Sequence, residues 1–392
     1  MLATQPSLTC PLTCQRDAFD LPADLHYLNG AYMSPLSKAV SAAGHEGITR
    51  KSVPTRITPA NFFSEVNTLK GLFAEVVNAP AKRIALIPAV SYGIATAVNN
   101  LHLQAGQRVV LLHEQFPSNV YAWRNLRERG VVIDTVAAPD SHQRGQDWNE
   151  AILEAITPDT AAVALGHVHW ADGTLYDLGR ISQKARAVGA ALIVDGTQSV
   201  GALPFDVAEI QPDALICAGY KWLMGPYGLG YAYFGERFAD GVPLEDNWIA
   251  RAGSEDFSGL VNYQDAYADG ATRFDVGEKS NPILLPMMIE ALREVLKRQP
   301  ARIQAYCQHL TEQPLSQLEA DGYRLEHPYY RAHHLFGIRL PQHIALAALK
   351  DALHANNISV SVRGDAVRVS PNVYNDTDDI TALVNVLRDL AQ

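Results

Sequence analysis

Leu192-Ile193-Val194-Asp195-Gly196-Thr197-Gln198-Ser199 and, a short way downstream, Ala218-Gly219-Tyr220-Lys221-Trp222-Leu223-Met224-Gly225-Pro226 are the stretches on which the fold of this chain turns. In the first, an acid follows an apolar, β-branched run. That is how a strand of an open α/β sheet delivers a side chain to its carboxyl edge, where such sheets hold ligands. In the second, a lysine lies between the apolar run Ala214 to Cys217 and a Gly/Pro turn, with an aromatic residue on each side. Taken singly, Asp195 reads as a turn or helix cap and Lys221 as a solvent-exposed amine.

Outward from these stretches, short apolar runs alternate with longer helical patterns. Arg83 to Ile87, Val109 to Leu112, Val131 to Val136, Ala161 to Leu165 and Ala191 to Val194 read as strands. Phe62, Val66, Leu69, Phe73 and Val76 recur at helical spacing, as do Ala95, Val98 and Leu101, and Tyr121 to Glu128 reads as a further helix. The alternation predicts an α/β fold, with βα units covering both faces of a mostly parallel sheet. Leu229 to Phe234 is expected to return antiparallel, because its connection is short. Beyond Asn281-Pro282 the pattern changes to helices over Leu285 to Leu296 and Ile303 to Leu318, strands near Leu335 to Leu340, Ile358 to Val362 and Val367 to Val369, and a last helix over Ile380 to Leu390. The expected organisation is a large domain over 26–280, a smaller α+β domain over 281–392, and a segment, 1–25, that returns to the smaller one.

The chain has 392 residues, 47% of them hydrophobic and 19% charged, enough to bury a substantial core. Its net charge of -10 argues against nucleic acid as a partner. No apolar run reaches the length of a membrane span, so no membrane partner is expected. MLATQPSLTC lacks the basic start and apolar core of a signal peptide, which makes a cytoplasmic location the expectation. Cys10, Cys14, Cys217 and Cys307 form neither a disulfide framework nor a zinc-ligand cluster. His167, His169 and Asp172 could start a metal site, but no further ligand converges on them, and no metal is expected.

Together, the two opening stretches resemble the fold-type I enzymes that depend on pyridoxal 5'-phosphate (PLP), specifically the class V aminotransferase family of kynureninases, cysteine desulfurases and isopenicillin N epimerase-like proteins. The resemblance runs from Tyr27-Leu28-Asn29 to Tyr374-Asn375. It implies the PLP-dependent transferase fold, with a seven-stranded sheet in the large domain, an amino acid substrate, and a homodimer with the active site at its interface. It also implies that Asp195 faces the pyridine nitrogen, that Gln198 contacts the phenolic oxygen, and that Lys221 is the Schiff-base lysine. Once displaced by substrate, the Lys221 amine would move a proton between Cα and C4'.

Other positions follow by the same resemblance. Phe116, in Leu112-His113-Glu114-Gln115-Phe116-Pro117, takes the place of the ring that stacks over PLP, a histidine in desulfurase-like members. Ser91-Tyr92-Gly93 aligns with the phosphate-binding turn before a helix, so Ser91 and Tyr92 are expected at the phosphate. His167-Val168-His169-Trp170 resembles the strand-end segment beside the pyridine ring, which gives His167 a cofactor contact and Trp170 a place against the substrate. Many relatives have serine and asparagine where this chain has Gly166 and Trp170, and the indole narrows the space. Arg368 resembles the arginine that clamps an α-carboxylate, and Tyr32, in Asn29-Gly30-Ala31-Tyr32-Met33, lines the substrate mouth. Ala218 and Tyr220 replace a serine and a histidine of many relatives; the Tyr220 hydroxyl is expected to serve for the histidine, leaving one contact missing at Ala218. Glu278 stands where many relatives place a threonine that reaches the partner's phosphate, with Ser280 or a backbone amide as its substitute. Arg251, Arg273 and the Glu278 region are expected to contribute from the partner subunit.

Desulfuration needs a mobile thiolate, and Val360 to Arg368 holds no cysteine. Amino transfer, racemisation or epimerisation, and kynureninase-like β-cleavage remain, together with a PLP-binding protein that has lost turnover. Glu245 to Arg251, followed by Phe274 to Gly277, looks closest to the aminotransferase and epimerase-like branch. Amino transfer to an oxo acid is the expectation, and retention of Lys221, Asp195, Gln198 and Arg368 together favours catalysis over storage.

Overall fold

The computed structural model describes residues 11–363 and 366–391. Seven strands build the larger sheet: β1 (Ile84–Ile87), β2 (Arg108–Leu112), β3 (Val132–Val136), β4 (Thr160–Gly166), β5 (Ala191–Asp195), β6 (Ala214–Ala218) and β7 (Gly230–Phe234). Their order across the sheet is β1-β7-β6-β5-β4-β2-β3. β2 to β6 pair in parallel, and β7 runs antiparallel to both of its neighbours, as the short connection demanded.

Alternate side chains divide between two cores, so both faces of the sheet are buried. Leu86, Val110, Leu165, Val194 and Leu215 face one way, onto the helices Asn61–Val76, Arg144–Ala155, Leu178–Ala187 and Leu284–Arg298. Ala85, Ala162, Ala164, Ala191, Ala214 and Ala232 face the other, joined by Ile193 and Ile216, onto the helix Val90–Asn100 and the rings of Trp123 and Phe274. The small residues let that helix lie close, which is why Gly93 sits against Ile216.

A second sheet, antiparallel, has the order Ser361–Arg363, Ala366–Val369, Phe336–Arg339, Arg324–Leu325. It packs with the helices Pro300–Ala320, Leu346–Ala355 and Thr377–Ala391 around Leu318, Ile338, Leu349, Val367 and Leu387. The single strand expected over Ile358 to Val362 breaks at Val360, because its two halves take different partners. Ile358–Ser359 pairs with His26–Tyr27, and Ser361–Arg363 pairs with Ala366–Val369. Near the other end of the chain, the Gln15 N–H donates to the Val373 carbonyl at 2.7 Å, and Arg16 bonds Asp379 at 3.4 Å.

The sequence pattern gave no sign of the helix Lys38–Lys51. Ser37 caps it by accepting from the Val40 N–H, and only Val40, Gly44 and Gly47 are buried. It meets the helix Leu284–Arg298 through small residues, Gly44 against Met287 and Gly47 against the Pro282 carbonyl, so close backbone approach replaces an apolar stripe. Among the described residues no helix is long and apolar enough to cross a membrane.

Gly201 holds the loop after β5 against the loop that carries Lys221. Its φ is +104°, and a Cβ there would fall 2.4 Å from the Trp222 carbonyl oxygen, a backbone atom that cannot swing aside. Gly201→Ala is therefore expected to destabilise the fold by about 3 kcal/mol. Thermal unfolding monitored by circular dichroism checks this, and an unchanged Tm would contradict it.

Candidate active site

The carboxyl ends of the strands open into one cavity of about 260 Å³. In sheet order its wall includes Pro88 to Ser91 after β1, Gly228 to Gly230 at the start of β7, Ala218, Tyr220 and Lys221 at and after the end of β6, Asp195, Thr197 and Gln198 at and after the end of β5, Gly166 and Val168 to Trp170 at and after the end of β4, and Gln115 and Phe116 after β2, with Tyr176 and Tyr227 completing its titratable groups. β1 and β5 are three places apart, so roughly 14 Å separates their ends at the usual strand spacing. Asp195, Gln198, Tyr220, Lys221, Ser91, Phe116 and Trp170 are thus brought to one space. Tyr92, His167, Tyr32 and Arg368 are not part of that wall.

Local hydrogen bonds fix the two opening stretches. Gly196 N donates to Ile216 O at 2.8 Å, and Val200 N turns back to Gly196 O at 2.9 Å. The Lys221 loop is closed by Gly219 N to Leu229 O at 3.0 Å and Gly225 N to Gly219 O at 2.9 Å. Thr197 joins the two stretches, its hydroxyl oxygen accepting from Ala218 N at 3.2 Å.

Lys221 is only 7% exposed. Its Nζ lies 5.6 Å from the centre of the Phe116 ring and 5.7 Å from that of Tyr220. Burial lowers its pKa to about 8; the Asp195 charge opposes the shift, while Arg368 and Arg363 add to it. Asp195 is pushed above the ordinary carboxylate value by burial, against the hydrogen bonds from Thr197 (backbone N–H at 3.0 Å) and the charge of Lys221.

Gln198 is held from both sides, with Nε2 donating to Ala31 O at 3.2 Å and Oε1 accepting from Trp222 Nε1 at 3.0 Å. Gln198 lies on the cavity wall, and its second amide N–H has no acceptor among the described residues. The Phe116 ring meets Trp170 edge-on at 5.5 Å, and the indole N–H donates to Glu114 O at 2.7 Å.

His169, not its neighbour His167, lies on the cavity wall. His167 is buried against Phe205, with its Nδ1 unpartnered, and burial lowers its pKa to about 3, so it stays neutral. His169 has both ring nitrogens engaged, Nδ1 with Asp172 at 2.7 Å and Nε2 with Glu114 O at 3.1 Å. Asp172 also receives Arg144 Nε at 3.0 Å and Arg339 Nη2 at 2.8 Å. Burial alone would raise its pKa, but His169, Arg144 and Arg339 together hold it well below the carboxylate range. The sequence signal at this hub is the trio His167, His169 and Asp172, which raises the question of a metal instead.

The helix Val90–Asn100 begins beside Ser91 without a side-chain cap. Tyr92 N and Gly93 N turn back to Ala89 O, which leaves the Val90 and Ser91 N–H groups without an intrahelical acceptor. The Tyr92 side chain packs into the core instead, its buried hydroxyl unpartnered and its pKa raised to about 12 by burial, with Glu245 and Asp275 adding to it. Tyr220 stacks obliquely on Tyr227 at 4.6 Å on the wall. Tyr32 is 58% exposed. Ser280 donates to Phe62 O at 2.6 Å, so its hydroxyl is committed within the chain, and Glu278 is exposed.

Arg368 is 2% exposed, and no carboxylate pairs with it among the described residues. Nη1 donates to Trp170 O at 2.8 Å and Nη2 to Ser361 Oγ at 3.4 Å, while Nε is buried without a partner. A buried guanidinium with an unmet donor can take an anionic partner.

The family model described as aminotransferase class-V matches residues 38–383. The chain belongs to the class-V aminotransferase family. A probable cysteine desulfurase of Mycolicibacterium paratuberculosis is 27% identical over 338 residues, 81% of this chain but 48% of that protein, so the match spans about half the length of that relative. An uncharacterized aminotransferase of Schizosaccharomyces pombe is 26% identical over 81% of this chain and 80% of its own. The fold matches that of a C-DES mutant with glycine covalently linked to its PLP cofactor, at a TM-score of 0.85 and 20% identity, over 96% of this chain and 100% of the other.

Pyridoxal 5'-phosphate is the cofactor of this class-V chain, and the residues of the cavity suit it. An uncapped helix N-terminus offers donors for an anion, a buried carboxylate answers a ring nitrogen, and a buried amine of lowered pKa can react with an aldehyde.

Proposed function

We propose that the protein is a PLP-dependent aminotransferase that moves the amino group of an amino acid to an oxo acid, working as a homodimer. The observation that carries this reading is the set of titratable groups on the cavity wall. His169 has no free nitrogen, and burial raises the pKa values of Tyr176 and Tyr220. Lys221, with a pKa of about 8, is the group suited to take and return a proton near neutral pH. Among the described residues of the wall, one amine that removes a proton from Cα and returns it elsewhere favours amino transfer over racemisation by two opposed bases.

Bound PLP supplies the electron sink for the pair left on Cα. In this reading Lys221 would carry the cofactor and then act as the proton carrier. Asp195 would hold the ring nitrogen protonated, and Val90, Ser91 and Tyr220 would hold the phosphate. Gln198 would offer its remaining N–H to the phenolic oxygen, and Arg368 would take the α-carboxylate.

Desulfuration is disfavoured by the thiols. Cys217 and Cys307 are buried, and burial pushes both pKa values up. Cys14 is exposed but stands beside Tyr306, while Cys10 lies outside the described residues. Only two residues separate Arg363 from Ala366, too few for a long sulfur-bearing loop.

A half-reaction tests the proposal. PLP-loaded protein given an amino acid without acceptor is expected to release one equivalent of 2-oxo acid per subunit and lose its visible absorbance, which an added 2-oxo acid restores. Exchange of the Cα proton without oxo acid would replace the reading with racemisation, and continuous release of pyruvate and ammonia would replace it with β-cleavage.

A further inference from the structure

Neither cofactor binding nor α-carboxylate capture uses Arg363. Its guanidinium is half-buried, donates to the Val362 carbonyl at 2.9 Å, and lies 5.7 Å from the centre of the Trp170 ring. No carboxylate of the described residues pairs with it.

The strand register sets its relation to Arg368. Ser361 lies opposite Arg368 and Arg363 opposite Ala366, so all four side chains share one face of the ribbon. The hydrogen bond from Arg368 Nη2 to Ser361 Oγ confirms that face. Arg363 and Arg368 are therefore diagonal neighbours, their rungs about 7 Å apart. Trp170 touches both, through its carbonyl to Arg368 and through its ring to Arg363. The same indole forms part of the wall of the Lys221 cavity and part of the wall of a wider cleft outside it, which Arg363 and Arg324 also line.

The other charges of that cleft are largely satisfied. Arg144 and Arg339 both pair with Asp172, Glu114 bridges to Arg144 at 3.3 Å, and Glu326 accepts from the Gly145 and His327 backbones. Asp140 also lines the cleft. Two guanidinium groups on neighbouring rungs repel each other, and both stay charged at physiological pH. A ligand with two anionic groups at matching separation relieves that repulsion twice.

We propose that Arg368 and Arg363 form a paired-carboxylate site, with the α-carboxylate at Arg368, a second acidic group at Arg363, and the short chain between them lying along the Trp170 indole. The substrate class is then the four- and five-carbon dicarboxylic amino acids and their 2-oxo diacids. This rests on the amino-acid reading of the Lys221 site.

Spectral titration of the PLP-loaded protein tests it, with L-aspartate and L-glutamate set against L-asparagine, L-glutamine and L-alanine. At least one acidic amino acid is expected to bind about tenfold or more tightly than its amide, since a charge-assisted bond replaces a neutral one. In Arg363→Gln that ratio is expected to fall to about twofold or less, and in Arg363→Lys to lie between, because lysine keeps the charge but loses the planar fork. Equal affinity for acids and amides in the unaltered protein overturns the paired site and leaves the amino-acid reading intact. A ratio that survives in Arg363→Gln also overturns it. If no amino acid perturbs the spectrum, both readings fall together.

Discussion

Lys221→Ala is expected to abolish the visible absorbance of the PLP-loaded protein and to lower turnover by about 10⁴-fold or more. On the proposed reading, two separate functions of one atom, Nζ, are lost at once: the covalent link to the cofactor and the proton transfer at Cα. The environment explains why this amine is fit for both. Burial lowers its pKa to about 8 from the model-compound value of 10.5, with Arg368 and Arg363 adding to the shift against Asp195. At pH 8 about half of such an amine is neutral and nucleophilic, against well under about 1% for an ordinary lysine. Because the pKa is lowered, the rate of PLP capture by cofactor-free protein should rise with pH and level off above about 8, not above 10. Added methylamine should restore part of the turnover in Lys221→Ala. A cofactor adduct trapped by borohydride on any other lysine of that variant would reject Lys221 as the anchor.

Asp195→Asn is expected to lower kcat by about a thousandfold while leaving the fold intact. The amide oxygen can still accept from Thr197 N, so the turn after β5 survives. What disappears is the negative charge that would keep the ring nitrogen protonated. The same charge is the influence that raises the Lys221 pKa. Removing it should shift the midpoint of PLP capture below about 8, and this second readout separates an electrostatic role from a purely structural one. A variant with lowered turnover but an unmoved midpoint would mean that the two groups do not sense each other.

The large sheet was legible in the sequence because each of its strands is a short apolar run between turn residues, and a strand buried on both faces needs little else. The helix Lys38–Lys51 was not, since it packs by Val40 and two glycines and leaves no stripe to count. The break at Val360 was hidden for a different reason. Ile358 to Val362 has strand character throughout, and only the tertiary partners decide that its halves separate. In the site, the resemblance to the class-V family places Asp195, Lys221, Phe116, Trp170, Tyr92 and His167 at the cofactor or substrate, and the first four line the cavity, each at or just beyond a strand end. Tyr92 and His167 do not, because each is the neighbour of a lining residue and turns away from it, Tyr92 into the helix-covered core and His167 against Phe205. Arg363 gave no signal of its own, since its position beside Trp170 depends on the hairpin register.

Asp172 has a mechanical consequence. It grips Arg144 from a helix of the large sheet and Arg339 from a strand next to the one that bears Arg368, while holding the His169 ring at the cavity wall. A buried carboxylate with three cationic or donor partners is costly to pull apart, so the arginine hairpin cannot swing far from Lys221. Entry of a substrate should therefore resemble a key entering a fixed lock more than a jaw closing. In stopped-flow mixing, the first spectral change should follow amino acid concentration linearly, without a saturating conformational step ahead of it.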